Sequence, residues 1–127
     1  MRILGIETSC DETALAVVEA DGGIDRPRFR IESNLVMSQI ALHAPYGGVV
    51  PNVAKRAHKK ALGELWKQLN SDMRTIDAVA VTVGPGLEPC LWEGITFTQQ
   101  LVLDFKKPVI AVNHMEGHLV SVFLGDS

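Results

Sequence analysis

Hydrophobic and polar residues follow two different periods along this chain. Residues 2–8 are mostly apolar, the polar stretch Ser9-Cys10-Asp11-Glu12 interrupts them, and residues 13–20 resume with Ala, Leu and Val before the turn Asp21-Gly22-Gly23. This pattern predicts two antiparallel strands joined by a polar turn. A third strand, about residues 28–36, follows Pro27 and places Phe29, Ile31 and Leu35 as its apolar positions. Residues 37–50 show no clear period. Pro45 and Gly47-Gly48 predict a loop or sharp turn at the end of that segment, with room for a short helix before it.

From Pro51 the period becomes helical, with Ala54, Ala57, Ala61, Leu62, Leu65 and Leu69 on one face. Proline suits the first helical turn, because its missing N–H has no partner there. Lys55, Arg56, Lys59, Lys60 and Lys67 fall on the opposite face, which reads as solvated. Residues 76–83 form a short, nearly continuous apolar run, as expected of a strand covered on both sides. Gly84-Pro85-Gly86 ends it, and a second helix over residues 89–105 carries Leu91, Ile95, Thr98, Val102 and Phe105 on its inner stripe. Lys107-Pro108 leads into a last strand at 109–112, and a final helix begins near Asn113. The order of three strands, helix, strand, helix, strand, helix predicts an α/β fold, a mixed sheet with an opening β-meander and helices on its faces.

Composition narrows the class. A length of 127 residues suffices for one domain with one core and is too short for two. A hydrophobic share of 46% is too high for a disordered chain. No apolar run approaches the roughly 18 to 20 residues of a membrane span. Glu7 interrupts the first apolar stretch before a secretory core region develops, and Cys10 and Cys90 form neither a disulfide framework nor a CxxC pair. A reducing, cytoplasmic setting without membrane attachment is the expectation. The net charge of −3 argues against a protein that coats nucleic acid, while a local basic patch could still touch RNA.

Three short words carry candidate chemistry. In His114-Met115-Glu116-Gly117-His118 the two imidazoles lie four residues apart on a helix, so their Cβ atoms are about 5 to 6 Å from each other and both rings can reach one metal ion. The pair follows directly from a strand, where ligands of open α/β sheets gather, and a helix N-terminus favours the neutral imidazole that binds metal. Glu116 invites comparison with the HExxH of zinc proteases, but an offset of two turns it roughly 200° from each histidine. Asn113 as N-cap with Glu116 at the third helical position fits better, as an Asn version of the capping box. Two histidines are also an incomplete metal site, and the chain offers no evident third ligand. The second word is the turn Thr8-Ser9-Cys10-Asp11-Glu12-Thr13, whose hydroxyls and backbone N–H groups suit a phosphate and whose carboxylates can orient a cation or a nucleophile; a polar hairpin turn is commonly only that. Cys10 reads either as a reactive thiol or as a small buried one. The third word, Gly84-Pro85-Gly86 between strand and helix, permits close backbone approach next to free helix N–H donors.

These words in this order, with Tyr46-Gly47-Gly48-Val49-Val50-Pro51 between them, resemble the TsaD family, formerly called Gcp or O-sialoglycoprotein endopeptidase. The matching residues are Gly5-Ile6-Glu7-Thr8-Ser9-Cys10-Asp11-Glu12-Thr13-Ala14, then Gly84-Pro85-Gly86-Leu87, then Asn113-His114-Met115-Glu116-Gly117-His118, and the resemblance runs the whole length of the chain. It implies a ribonuclease H-like lobe of the two-lobed actin-like ATPase fold. It also implies an enzyme of tRNA modification that transfers the threonylcarbamoyl group from threonylcarbamoyl-AMP to N6 of the adenosine next to the anticodon, in tRNAs reading ANN codons. In the family both histidines of the last word bind iron or zinc, which carries over to His114 and His118. The opening turn would lie near the nucleotide phosphates, with Asp11 and Glu12 as catalytic candidates and Ser9 and Asn113 as substrate contacts.

Two residues depart from the family pattern: Asn52, where a carboxylate is usual, and Glu93, where Val is frequent. Family members are also much longer. The resemblance therefore implies that residues 1–127 are the first lobe only, inactive alone, with the remaining metal ligand, an aspartate, in a second lobe. Implied partners are tRNA and, in bacteria, TsaB and TsaE, with contacts between N-terminal lobes near residues 37–65; dimerisation through the N-terminal lobe is a further option. A different class, a non-catalytic actin-like scaffold like TsaB, is the alternative, and the HxxxH word weighs against it because a scaffold has no need of a metal pair.

Overall fold

A computed structural model describes residues 1–121, with side chains through Gly117. Strands β1 (Arg2–Glu7), β2 (Glu12–Asp21) and β3 (Arg28–Ser38) open the chain. Helix α1 (Ile40–His43), a 3₁₀ turn at Ala44–Tyr46 and helix α2 (Pro51–Leu69) follow. After a second 3₁₀ turn at Met73–Thr75 come β4 (Ala78–Gly84), α3 (Glu88–Phe105), β5 (Val109–Asn113) and α4 (His114–Ser121). The five strands lie in the order β3-β2-β1-β4-β5. The opening meander is antiparallel, whereas β1, β4 and β5 run parallel. The segment without a clear period holds the short helix α1 and its 3₁₀ turn, which Gly47 ends in the left-handed region at φ 74°.

Strand alternation decides where the core sits. Leu4 lies opposite Val17 and Val79, and Ile6 opposite Leu15 and Val81; all six are 3% exposed or less. Leu62 and Leu65 of α2 close over them, with Met73 and Ile76 at one end. Each such side chain contributes about 1.5 to 3 kcal/mol by leaving water. Helices α2 and α3 meet through Trp66 and Phe97, edge to face with centroids 6.2 Å apart.

Each helical stripe differs in part from its sequence reading. On α2 the fully buried positions include His58, while Ala57 and Leu69 are half-buried. On α3 Leu91 and Thr98 are buried as expected, but Phe105 is exposed and the buried contact is made by Cys90 and Gly94. Small residues explain the rotation, because α3 approaches β1 so closely that a Cβ on Gly94 would stand 2.6 Å from Thr8 Oγ1. Apolar content alone cannot signal a seam made by the absence of a side chain.

The parallel strands deliver Glu7, Thr82 and Asn113 to one edge of the sheet. Open α/β sheets collect ligands beyond the carboxyl ends of such strands.

Candidate functional site

At that edge lies a cavity of about 390 Å³, lined by Glu7, Ser9, Cys10, Asp11, Glu12, Thr82, Val112, Asn113, His114 and Gly117. The opening turn and the histidine word, separated by about a hundred residues in sequence, are thus its two walls. Asp11 is half-buried and Glu12 exposed. Asn113 Oδ1 accepts from the N–H groups of Met115 and Glu116, at 2.9 and 3.1 Å, and so caps α4. Its cap consumes the oxygen, so a ligand would meet the amide nitrogen. Glu116 is exposed, as its helical offset requires, and does not line the cavity. His118 lies one turn along α4, and its side chain is outside the described residues.

Two lining residues, Glu7 and Thr82, carry polar roles that their sequence neighbourhood did not single out. Thr82 Oγ1 donates to Glu7 Oε2 at 2.7 Å, and the Ser9 N–H donates to Glu7 Oε1. His114 Nδ1 stands 3.2 Å from Glu7 Oε2 and 3.1 Å from Ser9 Oγ. Burial pushes the Glu7 carboxyl up, but hydrogen bonds from Ser9, Thr82, the Ser9 amide and His114 outweigh it and hold the group below its ordinary value. An ionised carboxylate only accepts, so Nδ1–H of His114 is the donor of that contact. This carboxylate–imidazole pairing is the arrangement that orients metal-binding histidines and raises their basicity. The signal was available: Glu7 is a carboxylate at the C-terminal end of a central strand, directly before the polar turn.

The turn itself is tied from behind. Ser9 C=O accepts from Leu87 N–H, Cys10 C=O from His58 Nε2–H and Asp11 C=O from Gln39 N–H, each at 2.8 Å. Three successive carbonyls are thus claimed by α3, α2 and the segment before α1. A trans peptide points its N–H opposite to its C=O, so the N–H groups of Cys10, Asp11 and Glu12 turn away from these supports. The glycine word makes the fit possible, since a Cβ on Gly86 would stand 2.7 Å from Ser9 O. Its part is close packing behind the turn. Cys10 is exposed at the cavity with its thiol pushed up by burial and by the Asp11 charge, against a hydrogen bond from the Asp11 backbone, whereas Cys90 is buried and pushed up to about 11.

Among the described residues no three His, Cys, Asp or Glu side chains form a metal cluster. The oriented imidazole of His114 fits one ligand of such a centre. Among the described residues no helix is long and apolar enough to cross a membrane.

A family model described as TsaD, tRNA N6-adenosine threonylcarbamoyltransferase, matches residues 30–127. The tRNA N6-adenosine threonylcarbamoyltransferases of Brucella anthropi and Brucella suis are each 52% identical to the chain over 99% of its length, and the chain spans 35% of theirs. Two solved structures share the fold at low identity. YeaZ from Pseudomonas aeruginosa is 20% identical, with a TM-score of 0.52 over 88% of this chain and 43% of its own. Thermus thermophilus RuvC is 15% identical, with a TM-score of 0.56 over 100% of this chain and 71% of its own. The ribonuclease H-like, actin-like lobe expected from the sequence is borne out by these likenesses. By its ordered words, its fold and its relatives, the chain belongs to the TsaD family of tRNA N6-adenosine threonylcarbamoyltransferases.

Proposed function

We propose that residues 1–127 form the first lobe of an enzyme that transfers a threonylcarbamoyl group from threonylcarbamoyl-AMP to N6 of the adenosine next to the anticodon of tRNA. The observation that carries this reading is the single cavity in which the opening turn meets an imidazole already oriented by Glu7. The scaffold alternative accounts for the fold but not for that pairing, and the 52% identity lies with the transferases.

In this reading the N–H groups of Cys10, Asp11 and Glu12 receive the phosphate of the adenylate, an anion cradle made from backbone. The amine attacks the carbamoyl carbon; as the N–C bond forms, the C–O bond to the phosphate breaks and AMP leaves with the electron pair. Asp11 and Glu12 orient the amine and accept its proton. Ser9 braces the His114 ring, and the Asn113 amide offers a donor at the cavity wall. His114 and His118 are the ligands this chain supplies to one divalent ion, iron or zinc, the remaining ligand coming from the part of the relatives' length that the chain does not span. Such an ion supplies Lewis acidity at the carbamoyl or phosphate oxygens. An adenylate held from one side is not oriented for transfer, so the 127-residue chain alone is inactive. TsaB and TsaE in a bacterial cytoplasm, and pairing of lobes through residues 37–65, complete the proposal.

Titrating iron or zinc into the chain and into its His114→Ala and His118→Ala variants tests the site. Each variant should bind more weakly than the parent, and tight binding that survives both changes would remove the proposed centre.

A further inference from the structure

His58 is the least expected residue of the core. It lies on the inner stripe of α2 between Ala54 and Ala61, is 0% exposed, and spends both ring nitrogens on the site turn. Nε2 is 2.8 Å from the Cys10 carbonyl oxygen and Nδ1 is 2.7 Å from Thr13 Oγ1. A carbonyl only accepts, so Nε2 carries the proton and Nδ1 accepts from the Thr13 hydroxyl; the neutral ring satisfies both bonds at once. Burial lowers its affinity for a proton, against the Cys10 carbonyl and the charges of Glu7, Glu93 and Asp11, in keeping with that neutral form.

The two bonds span both ends of the turn, before Asp11 and after Glu12. Of the three successive carbonyls, those of Ser9 and Asp11 are held by backbone amides, and only the middle one depends on a side chain. An apolar residue at position 58 would fill the same volume and leave the part-buried Cys10 carbonyl without its donor, which favours turning the peptide over toward water.

We propose that His58 is a positioning residue: its Nε2–H fixes the Cys10–Asp11 peptide so that the Asp11 N–H faces the cavity, coupling the seating of α2 to the shape of the phosphate cradle. The clamp itself stands on the geometry, and its use for phosphate rests on the functional reading above.

Three variants separate positioning from mere packing. His58→Gln can place an amide donor where Nε2 stood; His58→Asn keeps a partner for Thr13 but falls short of Cys10; His58→Leu keeps only volume. Hydrogen exchange of the Gln39 and Leu87 amides reports the turn, because they bind its flanking carbonyls, and the Val79 amide, bound to Pro108 O, reports the core. In His58→Leu and His58→Asn the Gln39 and Leu87 amides should exchange about tenfold faster while Val79 is unchanged, and His58→Gln should lie within about twofold of the parent. Should His58→Leu fail to fold, the Asn and Gln variants decide. Exchange at Gln39 and Leu87 that merely follows Val79, or a Gln variant indistinguishable from Asn, would overturn the clamp. Inorganic pyrophosphate titrated into the parent chain should shift the Cys10, Asp11 and Glu12 amides, with affinity about tenfold weaker in the Asn variant and restored in Gln. Absence of those shifts in the parent would refute the phosphate cradle, while the exchange rates would still decide whether His58 clamps the turn.

Discussion

Replacing Gly94 with alanine sets two effects of opposite sign against each other. Gly94 lies inside α3, where glycine costs about 1 kcal/mol relative to alanine, so propensity alone predicts stabilisation. The structure predicts the reverse. The new Cβ would meet Thr8 Oγ1 at 2.6 Å and Thr8 Cγ2 at 3.4 Å, and Thr8 is 1% exposed with its hydroxyl donating to the Cys90 carbonyl at 2.7 Å. Turning the threonine aside orphans a buried hydroxyl at about 1 to 3 kcal/mol, and sliding α3 off β1 overpacks the core at a similar cost. The net is a change of about 0 to 2 kcal/mol toward destabilisation, against the gain of about 1 kcal/mol that propensity alone predicts. A Cβ on Gly63, in the middle of α2, meets nothing within 4 Å, so Gly63→Ala should stabilise by about 1 kcal/mol and serves as the control. In a Thr8→Ala background the nearest remaining atom is Ile6 Cγ2 at 3.6 Å, ordinary contact, and Gly94→Ala should there become neutral or stabilising. Urea unfolding followed by circular dichroism gives the free energies of the parent and the four variants. A Gly94→Ala chain as stable as Gly63→Ala, or a penalty that persists without Thr8, would refute the close approach of α3 to the site strand.

Three further outcomes follow from the same geometry. The folded His58 binds a proton less readily than the unfolded chain, so stability is full above about pH 6.5 and declines as pH falls toward the lower folded value; His58→Gln should flatten that acid-side slope in pH-dependent urea melts, and an unchanged slope would contradict it. Glu7→Gln removes the charge that fixes the His114 tautomer and should weaken zinc binding to the chain about 10- to 100-fold by calorimetry, whereas an unchanged affinity would deny Glu7 that part. Iodoacetamide at mild alkaline pH should label Cys10 slowly and leave Cys90 untouched until the chain is unfolded; modification of native Cys90 would contradict its burial.

The strand and helix order was legible because each element carries its own period, and the site words were legible because strand ends and helix starts follow one another in sequence. What escaped was the wiring between elements distant in sequence. Glu7 reads as the polar end of a strand until β4 brings Thr82 beside it and β5 brings His114. His58 breaks an alanine stripe, a visible anomaly, yet nothing local says that its partners are Cys10 and Thr13. On α3 the expected stripe holds at Leu91, Ile95, Thr98 and Val102 and fails only at Phe105, while the close contact at Gly94 is one for which the sequence supplies no side chain to weigh.

Whether this lobe is half of a working transferase site is read most directly from threonylcarbamoyladenosine, measured by mass spectrometry of nucleosides from tRNA incubated with threonylcarbamoyl-AMP and metal-loaded protein. One arm holds the 127-residue chain alone, and another joins it to the remaining two thirds of the Brucella anthropi relative, with that relative intact as the reference. The joined enzyme should yield modified adenosine and lose it on His114→Ala, and the chain alone should yield none. A folded joined enzyme that makes no product while the reference does, or product from the isolated chain, would contradict the assignment.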